Sequence, residues 1–461
     1  MWIPAANSNN RLTPLMNALS PAIKRLQDRR MQASLLLVFG CLLLLPFGDL
    51  DVPQNVGPFL AGGFVMSLGF LAALRVPGIP VVWFWTVTIG TRLILIWMTP
   101  SDDIYRYIWE GEVQNRGFSP YCLAPSSEIL APMRNHAWQL VKFQEVTAIY
   151  PPLAELVLRF ATSISATVIW LKLLFVAADL LTCGMLAQRF GFTKALTFAW
   201  NPLVIYCFAG GGHYDSVFVL SLTAAWLLWD RKGGSPDGRL ASVACLGAGV
   251  ALKWLCVPLL GWELWQVGRR DGLKRALRAS IVAVLPLAAS WAVVSAGSWS
   301  CSVFPKDFVK VARSAEALPA VAAWILSPEH SFNRNDFYLG IFLLASAFLL
   351  SRQRTVRGAS QAVLAAALLI TPMFHAWYAT WLVPFAVVDR NRGAITLSIS
   401  SFVYFWLHHT AGQPGGIWKQ SVAEKLLLWG PFVIGLAWQK WGRRQMLEDN
   451  EHGRHATGED N

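Results

Sequence analysis

The sequence predicts an all-α protein, a polytopic bundle of about 12–14 transmembrane helices with a helical outer-face loop after the third span. Composition is the first reason: 55% of the 461 residues are hydrophobic and only 14% are charged, whereas soluble domains carry about a quarter charged residues. The second is a series of apolar runs, several close to the roughly 20 residues that span a bilayer. The third is that the polar segments between runs collect on one side of the membrane.

The apolar runs are expected to be membrane helices, with the shorter ones forming half-helices or re-entrant segments. They lie at 33–49, 58–75, 79–98, 164–187, 193–209, 213–230, 238–252, 254–267, 274–297, 337–351, 358–374, 376–388, 394–409 and 424–441.

Lys and Arg set the orientation, because cytoplasmic segments are enriched in them. Basic residues cluster before the first run and in segments such as DRKGGSPDGR and GRRDGLKR. The predicted organisation is a cytoplasmic tail over 1–32, a transmembrane domain over 33–441 with outer-face loops at 99–150 and 298–336, and a cytoplasmic tail over 442–461. The polar C-terminal tail is expected to be disordered. The chain is thus predicted to be a multi-pass inner-membrane protein with both termini in the cytoplasm.

The formal net charge of +12 is explained by this inside bias and by attraction to anionic lipid, so it does not indicate a nucleic-acid partner. The seven cysteines show no metal-ligand spacing. Cys122 and Cys301 lie in the two outer-face loops and could form a disulfide in an oxidising compartment, but the sequence alone does not show that they meet.

Asp102 and Asp103 follow the third run directly, in TPSDDIYRYIWEGEVQ. Pro100 ends that run, and either Ser101 or Asp102 is expected to cap the next helix, so plain capping is one interpretation. Caps need only one acid. Neighbouring helical side chains point about 100° apart, so the two carboxylates form one dyad only if the backbone turns there. Both are candidate catalytic groups.

The first outer loop continues with Tyr105 and Arg106 and ends in AIYPPLAEL. Tyr150 precedes two prolines, which impose an extended backbone and then a helix with Pro in its first turn. This pattern suits simple re-entry into the membrane and a site-shaping role equally well.

The segment FAWNPLVIYCFAGGGHYDSVFV combines a broken span with three glycines, His213 and Asp215. The glycines allow a tight turn and a close approach to a ligand. The start of the following helix, with an imidazole beside it, suits an anionic group. A packed or interfacial histidine is the alternative interpretation.

Two further helix tips are predicted on the outer side. Lys253 lies within GAGVALKWLCVPLLGWELW, interpreted as a helical hairpin with the lysine at its tip. A buried membrane lysine is costly unless it snorkels or is paired, and a cation there would suit a lipid phosphate. The second tip, PMFHAWY, contains His375, Trp377 and Tyr378; its aromatic residues also suit the interfacial aromatic belt.

These motifs together, in this order, resemble the C-type glycosyltransferase superfamily, and most of all its bacterial polyprenyl-phosphomannose-dependent mannosyltransferases. The motifs are SDDIYRYIWEG, GFSPY, YPPLAE, WNPLVIYCFAGGGHYD, the hairpin lysine and FHAWYATWLVPF. The similarity runs from about residue 85 to 390. The sequence departs from the family pattern in having Glu110-Gly111 where relatives often have Asp-Gly, and in two additional helices at 33–49 and 58–75.

The resemblance implies an inverting membrane glycosyltransferase that moves a sugar, mannose in the nearest branch, from a polyprenyl-phosphate donor to a lipid-linked or glycan hydroxyl on the outer face. An acidic residue of the first outer loop serves the acceptor in that family, which points to Asp102 or Asp103 as base, with Asp102 favoured. The other carboxylate would position the acceptor or a divalent cation, although no motif requires a metal or another cofactor.

A departing lipid phosphate needs positive charge, and the candidates for binding it are Lys253, His213 and Arg106. The remaining candidates are expected to contact substrate: Tyr105, Tyr150, Asp215, His375, Trp377 and Tyr378.

Two other classes of function compete with this prediction. A transporter or flippase of a lipid-linked sugar would be expected to show inverted repeats and polar residues near the bilayer midplane. The sequence contains no evident repeat, and its polar residues lie toward one surface. A non-catalytic scaffold subunit is the second alternative, and it should tolerate replacement of Asp102 and Asp103.

Overall fold

The fold was determined as a computed structural model, which describes residues 12–230, 234–295, 301, 312–326 and 335–457, with side chains described between 27 and 441. We number its α-helices in chain order. They are α1 (Leu12–Leu44), α2 (Pro53–Ala73), α3 (Val81–Leu95), α4 (Asp103–Asn115), α5 (His136–Leu140), α6 (Pro152–Ile164), α7 (Val168–Phe190), α8 (Phe192–Ala199), α9 (Pro202–Ile205), α10 (Asp215–Trp229), α11 (Pro236–Leu252), α12 (Val257–Asp271), α13 (Leu273–Val294), α14 (Leu318–Leu326), α15 (Asp336–Ser351), α16 (Val356–Ile370), α17 (Val383–Ala386), α18 (Arg392–Ser400), α19 (Trp406–Ala411) and α20 (Val422–Thr457).

The described residues form an all-α membrane bundle, as predicted. Four apolar segments are long enough to cross a bilayer, namely Gln27–Phe47, Pro53–Ala73, Val168–Phe190 and Leu273–Val294, and shorter apolar helices complete the bundle. Across the described ranges no β-strand occurs; a single bridge pairs Ser314 with Met373.

Both ends of the chain are more helical than the sequence suggests. Helix α1 begins at Leu12, inside the predicted cytoplasmic tail. Helix α20 continues to Thr457, so the disorder expected for the C-terminal tail is wrong up to that residue. A helix already nucleated by a packed apolar segment can continue into polar sequence at little cost, because each added residue gains one backbone hydrogen bond.

Several predicted spans are broken helices. The run 193–209 forms α8, α9 and a π-helical turn at Tyr206–Gly210. Asn201 causes the first break: its Oδ1 caps α9, and its Nδ2 donates to Ser398 Oγ at 2.7 Å. Residues Ala376–Leu382 form a 3-10 helix before α17. Breaks of this kind leave backbone and side-chain polar groups free to shape a site.

A buried ion pair holds the scaffold beneath that site. Arg92 on α3 and Asp179 on α7 approach at 2.8 Å, and both side chains are fully buried. Arg92 also donates to the carbonyl of Ala199. The pair therefore links α3, α7 and α8 inside the bundle, where an unpaired charge would be costly.

Cys122 and Cys301, which the sequence alone could not bring together, form a disulfide with a Cα–Cα distance of 5.4 Å and a sequence separation of 179. The bond joins the loop that contains α4 to the segment after α13. Most of the second predicted loop, 298–336, lies outside the described residues, apart from Cys301, the stretch 312–326 that includes α14, and residues 335–336.

Candidate active site

A buried lysine stabilises the turn between α3 and α4 through hydrogen bonds. Lys172 on α7 is fully buried and donates to the carbonyls of Met98 and, at 3.3 Å, Ile96. The backbone N–H of Ser101 donates to the carbonyl of Gly211 at 3.0 Å. The turn that contains Asp102 and Asp103 (the aspartate turn) is therefore hydrogen-bonded to the turn formed by the three glycines before His213.

Asp102 and Asp103 have different neighbours. Asp102 is the N-cap residue of α4, but its side chain makes no capping hydrogen bond, so the plain capping interpretation is wrong. Its Oδ1 accepts from Ser101 Oγ at 3.1 Å. Asp103 Oδ2 lies 3.4 Å from Nδ1 of His213 and accepts a long hydrogen bond from the Tyr107 hydroxyl at 3.5 Å. The carboxylates thus face separate surroundings.

These surroundings shift the pKa values of Asp102 and Asp103 in opposite directions. Burial, with the neighbouring charge of Asp103, raises the pKa of Asp102 to about 6. Burial would also raise the pKa of Asp103, but His213, His375 and Lys253 outweigh it and lower that pKa below the usual aspartate value. Adjacent carboxyl groups with separated acidities suit different chemical roles.

A stack of three rings fixes the imidazole beside Asp103. The indole of Trp377 lies parallel to His213 at a centroid distance of 3.9 Å and parallel to His375 at 4.5 Å. His375 Nδ1 lies 2.6 Å from the hydroxyl of Tyr404. Nε2 of His213 is buried and has no hydrogen-bond partner among the described side chains and backbone. That nitrogen is available to a ligand.

Gly212 is the glycine that the turn requires. Its φ is +74°, and an added Cβ would lie 2.7 Å from Ile104 Cδ1 and 3.2 Å from Lys172 Cγ. A side chain at this position would be strained by its backbone conformation and would also collide with α4. The missing side chain lets the turn before His213 rest against the helix that begins at Asp103.

Lys253 occupies the tip between α11 and α12, as the hairpin interpretation predicts. Its Nζ lies 3.2 Å from Asp215 Oδ1, and the lysine side chain is 13% exposed while that of Asp215 is 1% exposed. Trp381 Nε1 donates to the same oxygen at 2.7 Å. The ammonium also lies 4.9–5.0 Å from the ring centres of Tyr214, Tyr378 and Trp381. This aromatic and acidic cage holds a cation near the surface of the bundle.

Three tyrosine rings pack edge to face around the aspartate and lysine groups. Tyr107, Tyr150 and Tyr214 have centroid separations of 5.2–5.6 Å. Tyr150 keeps its position because its carbonyl accepts from the Tyr121 hydroxyl at 2.7 Å. The rings form an apolar wall on which a sugar could rest.

Two predicted site residues are not brought into this group. Arg106 donates to Glu110 at 2.9 Å and to the carbonyls of Lys142, Phe143 and Val146 at 2.7–3.2 Å. Its guanidinium holds the loop, so the contacts do not support the expected phosphate-binding role. Tyr105 packs against both the main hydrophobic core and the smaller cluster around Trp109 and Val113.

Sequence reasoning also missed several residues. Tyr107, Tyr214 and Trp381 stand inside the motifs already quoted, so closer attention to those motifs could have found them. Tyr404 and Lys172 lie in apolar runs without a motif, and only the fold brings them to the site. Among the described residues, no group of three or more His, Cys, Asp or Glu side chains converges to hold a metal ion.

Comparison with known proteins is consistent with this geometry. Residues 56–269 match the MptA_B family, described as alpha-(1->6)-mannopyranosyltransferase, N-terminal domain. The matched stretch contains Asp102, Asp103, His213 and Lys253, whereas His375 and its neighbours follow it. No curated protein and no solved structure gives a significant match. The resemblance to mannosyltransferases predicted from the sequence is thereby confirmed over residues 56–269, the part of the chain that is similar to this family.

Proposed function

We propose that this protein transfers a mannosyl unit from a polyprenyl-phosphate donor to a hydroxyl group of a lipid-linked or glycan acceptor, at the membrane surface. The observation that carries the proposal is that Asp103 lies against His213 and interacts electrostatically with Lys253, whereas Asp102 accepts from Ser101 and has a raised pKa. One side of the turn offers a base and the other offers positive charge to an anion. A linkage of the α-(1→6) type is the first to test, since it is the linkage in the name of the matching family.

The proposed reaction is a single displacement. The acceptor oxygen forms a bond to the anomeric carbon while its proton passes to the carboxylate of Asp102. The bond between that carbon and the phosphate oxygen breaks, and its electron pair leaves with the lipid phosphate. Attack opposite to the leaving group inverts the anomeric centre. Asp102 suits the task because a base with a pKa of about 6 is ionised at neutral pH and still accepts a proton.

Lys253 and His213 stabilise the departing phosphate in this proposal. Lys253 forms an ion pair with Asp215, and its ammonium carries three N–H donors, so a phosphate oxygen can be a second partner. Nε2 of His213 lies on the opposite edge of the ring and can contact the phosphate, because Asp103 lies against Nδ1 and Trp377 stacks on the ring. Positive charge placed where negative charge develops lowers the barrier without reorganisation.

In this proposal, only some of the residues expected to contact substrate do so, and the others position neighbouring side chains. Tyr150 and Tyr378 border the lysine cage or the tyrosine wall and can contact the donor, whereas Asp215, expected to contact substrate, is fully buried and pairs with Lys253. Trp377 cannot stack on a sugar with either face, because imidazole rings cover both. Trp377 and His375 therefore hold His213 in position.

We place the site on the outer face of the inner membrane, with both termini in the cytoplasm. The positive-inside bias supports this orientation. So does the disulfide between Cys122 and Cys301, since such bonds persist in oxidising compartments. Polyprenyl-linked donors would reach the catalytic turn laterally from the lipid.

The test is sugar transfer in proteoliposomes loaded with radiolabelled polyprenyl-phosphate mannose and a glycan extract as acceptor. Wild type is compared with Asp102→Asn, Asp103→Asn and Glu128→Gln; Glu128 is a control because its side chain is 87% exposed in the same loop. We expect transfer by wild type and Glu128→Gln, and a loss of roughly 100-fold or more in Asp102→Asn.

Two further arms complete this experiment. Addition of EDTA or Mg²⁺ tests whether a divalent cation takes part at the two carboxylates. Glucose and arabinose donors test the sugar. If none of these donors transfers its label while the lipid-linked sugar crosses the bilayer, the enzyme proposal fails and the transporter alternative replaces it.

A further inference from the structure

Behind the aspartate turn, α4 and α6 approach each other closely. At Gly111 an added Cβ would lie 2.4 Å from Thr162 Oγ1 and 2.6 Å from the carbonyl oxygen of Leu158. Nothing but a hydrogen atom fits between the helices there. Any polar group on this interface is consequently isolated from water, and its hydrogen bonds must be made within the protein.

That interface contains two buried carboxyl groups. Glu110 on α4 is 1% exposed, and Glu155 on α6 is fully buried. Arg106 donates to Oε1 of Glu110 at 2.9 Å, and Gln114 Nε2 donates to Oε2 of Glu155 at 2.8 Å. The remaining oxygens, Oε2 of Glu110 and Oε1 of Glu155, receive no donor from the described residues. A proton between the two carboxyl groups would satisfy both.

Charge balance leads to the same conclusion. One guanidinium, that of Arg106, serves two buried carboxyl groups, so one of them must be neutral to avoid an uncompensated charge. Burial and the charge of Glu110 raise the pKa of Glu155 well above its usual range. Burial also raises the pKa of Glu110, but the charge of Arg106 and its hydrogen bond to Glu110 oppose that rise. The proton therefore resides on Glu155.

We propose that Glu155, in its protonated form, is a positioning residue for the mannosyl-transfer reaction: it donates to Glu110 and so fixes the turn of α4 that carries Asp102 and Asp103. The inference rests on the proposed function for its catalytic consequence. Asp103, Tyr107, Glu110 and Gln114 follow at spacings of four, three and four residues, which places them on one face of the helix.

The same network reaches a third segment. Through Arg106, Glu110 is connected to the carbonyls of Lys142, Phe143 and Val146. Phe143 has a positive φ of 53°, a conformation that its own side chain disfavours. Ionisation of Glu155 would place two negative charges against one guanidinium, and both the helix and this loop would have to move.

Five other titratable groups face the pair of carboxyl groups. Asp103 and Arg106 lie on α4, Tyr121 and Tyr150 in the loop, and Tyr214 at the start of α10. Burial raises the pKa of Tyr121 and of Tyr150 well above the usual tyrosine range, so they stay neutral. The group that loses a proton at the interface of α4 and α6 as the pH rises is therefore Glu155.

The test compares Glu155→Gln with Glu155→Ala in the full-length protein in proteoliposomes. Glutamine can accept from Gln114 and donate to Glu110 without titrating, so its kcat should stay near wild type. Alanine leaves Glu110 without its donor, and kcat should fall roughly 10- to 100-fold, with the donor KM little changed, because misplacement of about 1 Å can cost that much. The decrease in transfer at alkaline pH should be present in wild type and absent in Glu155→Gln.

A spectroscopic measurement separates this inference from the proposed function. The infrared difference spectrum between wild type and Glu155→Gln at neutral pH should contain the band of a protonated carboxyl group, whether or not transfer occurs. The proposal is overturned if this difference band is missing, if transfer by folded Glu155→Gln decreases at alkaline pH as it does in wild type, or if its kcat falls as far as in Glu155→Ala. If Asp102→Asn retains full transfer, only the assignment of the base fails.

Discussion

Lys253 offers the sharpest test of the proposed chemistry, because its pairing with Asp215 can be separated from its action on substrate. Replacement by methionine keeps the length of the side chain and removes the charge. If the ammonium stabilises the departing phosphate, transfer should fall roughly 100- to 1000-fold, the usual cost of removing one such electrostatic donor. Glu128→Gln is again the control for a charge change without contact to the site.

The same substitution also removes the partner of a carboxylate that is 1% exposed. Leaving a buried charge uncompensated costs roughly 3–5 kcal/mol, so Lys253→Met alone could lose activity through lost stability. Asp215→Asn resolves this ambiguity. Its side-chain oxygen can still accept from Trp381, which now donates to Asp215 at 2.7 Å, and the double variant carries neither charge.

We therefore expect Lys253→Met to be both less stable and inactive, and the double variant Lys253→Met/Asp215→Asn to regain stability and remain inactive. Asp215→Asn alone should keep most of its transfer, since the cation is still present. Thermal unfolding in detergent measures the first property, and label transfer in proteoliposomes measures the second. Wild-type transfer by the double variant would refute the phosphate-binding role and leave Lys253 as a structural partner of Asp215.

Three other predictions concern the turn and its surroundings. Since burial and Asp103 raise the pKa of Asp102 to about 6, protonation should remove the base below that pH, and kcat/KM should fall with unit slope as the pH decreases through 6. Gly212→Ala should abolish most transfer, because its φ of +74° and its contacts exclude a side chain, whereas Gly90→Ala, where an added Cβ meets nothing within 4 Å, should not; the two are compared in the transfer assay. Replacing Cys122 and Cys301 by serine should lower the free energy of unfolding by roughly 2–5 kcal/mol, measured as a shift in thermal unfolding that reductant reproduces in wild type.

The sequence was informative where local chemistry determines position. A lysine in a long apolar stretch must reach an end of the bundle or find a partner, which is why Lys253 could be placed at a hairpin tip. Asp102, Asp103 and His213 were also found as candidates, because short polar motifs beside apolar runs are conspicuous. Their assembly was not predictable, since it depends on contacts between residues far apart in the chain.

Other features were hidden for the same physical reason. Glu155 stands in a stretch that looks like ordinary re-entry into the membrane, and only the close contact of α4 with α6 shows that it meets Glu110. Tyr404 lies in an apolar run and reaches His375 through the fold. Arg106 was predicted to bind phosphate because the sequence shows its charge but not the four oxygen atoms to which its side chain donates.

In the proposed reaction, the adjacency of Asp102 and Asp103 answers a geometric problem. The base must be beside the acceptor, while the phosphate needs cations, and a base placed among those cations would lose its proton affinity. Successive side chains at a helix start diverge by about 100°. One residue can therefore contact His213 and stay ionised, while the next keeps a raised pKa on the other side of the turn. Separation along the helix by one residue gives two electrostatic environments within the span of a single sugar.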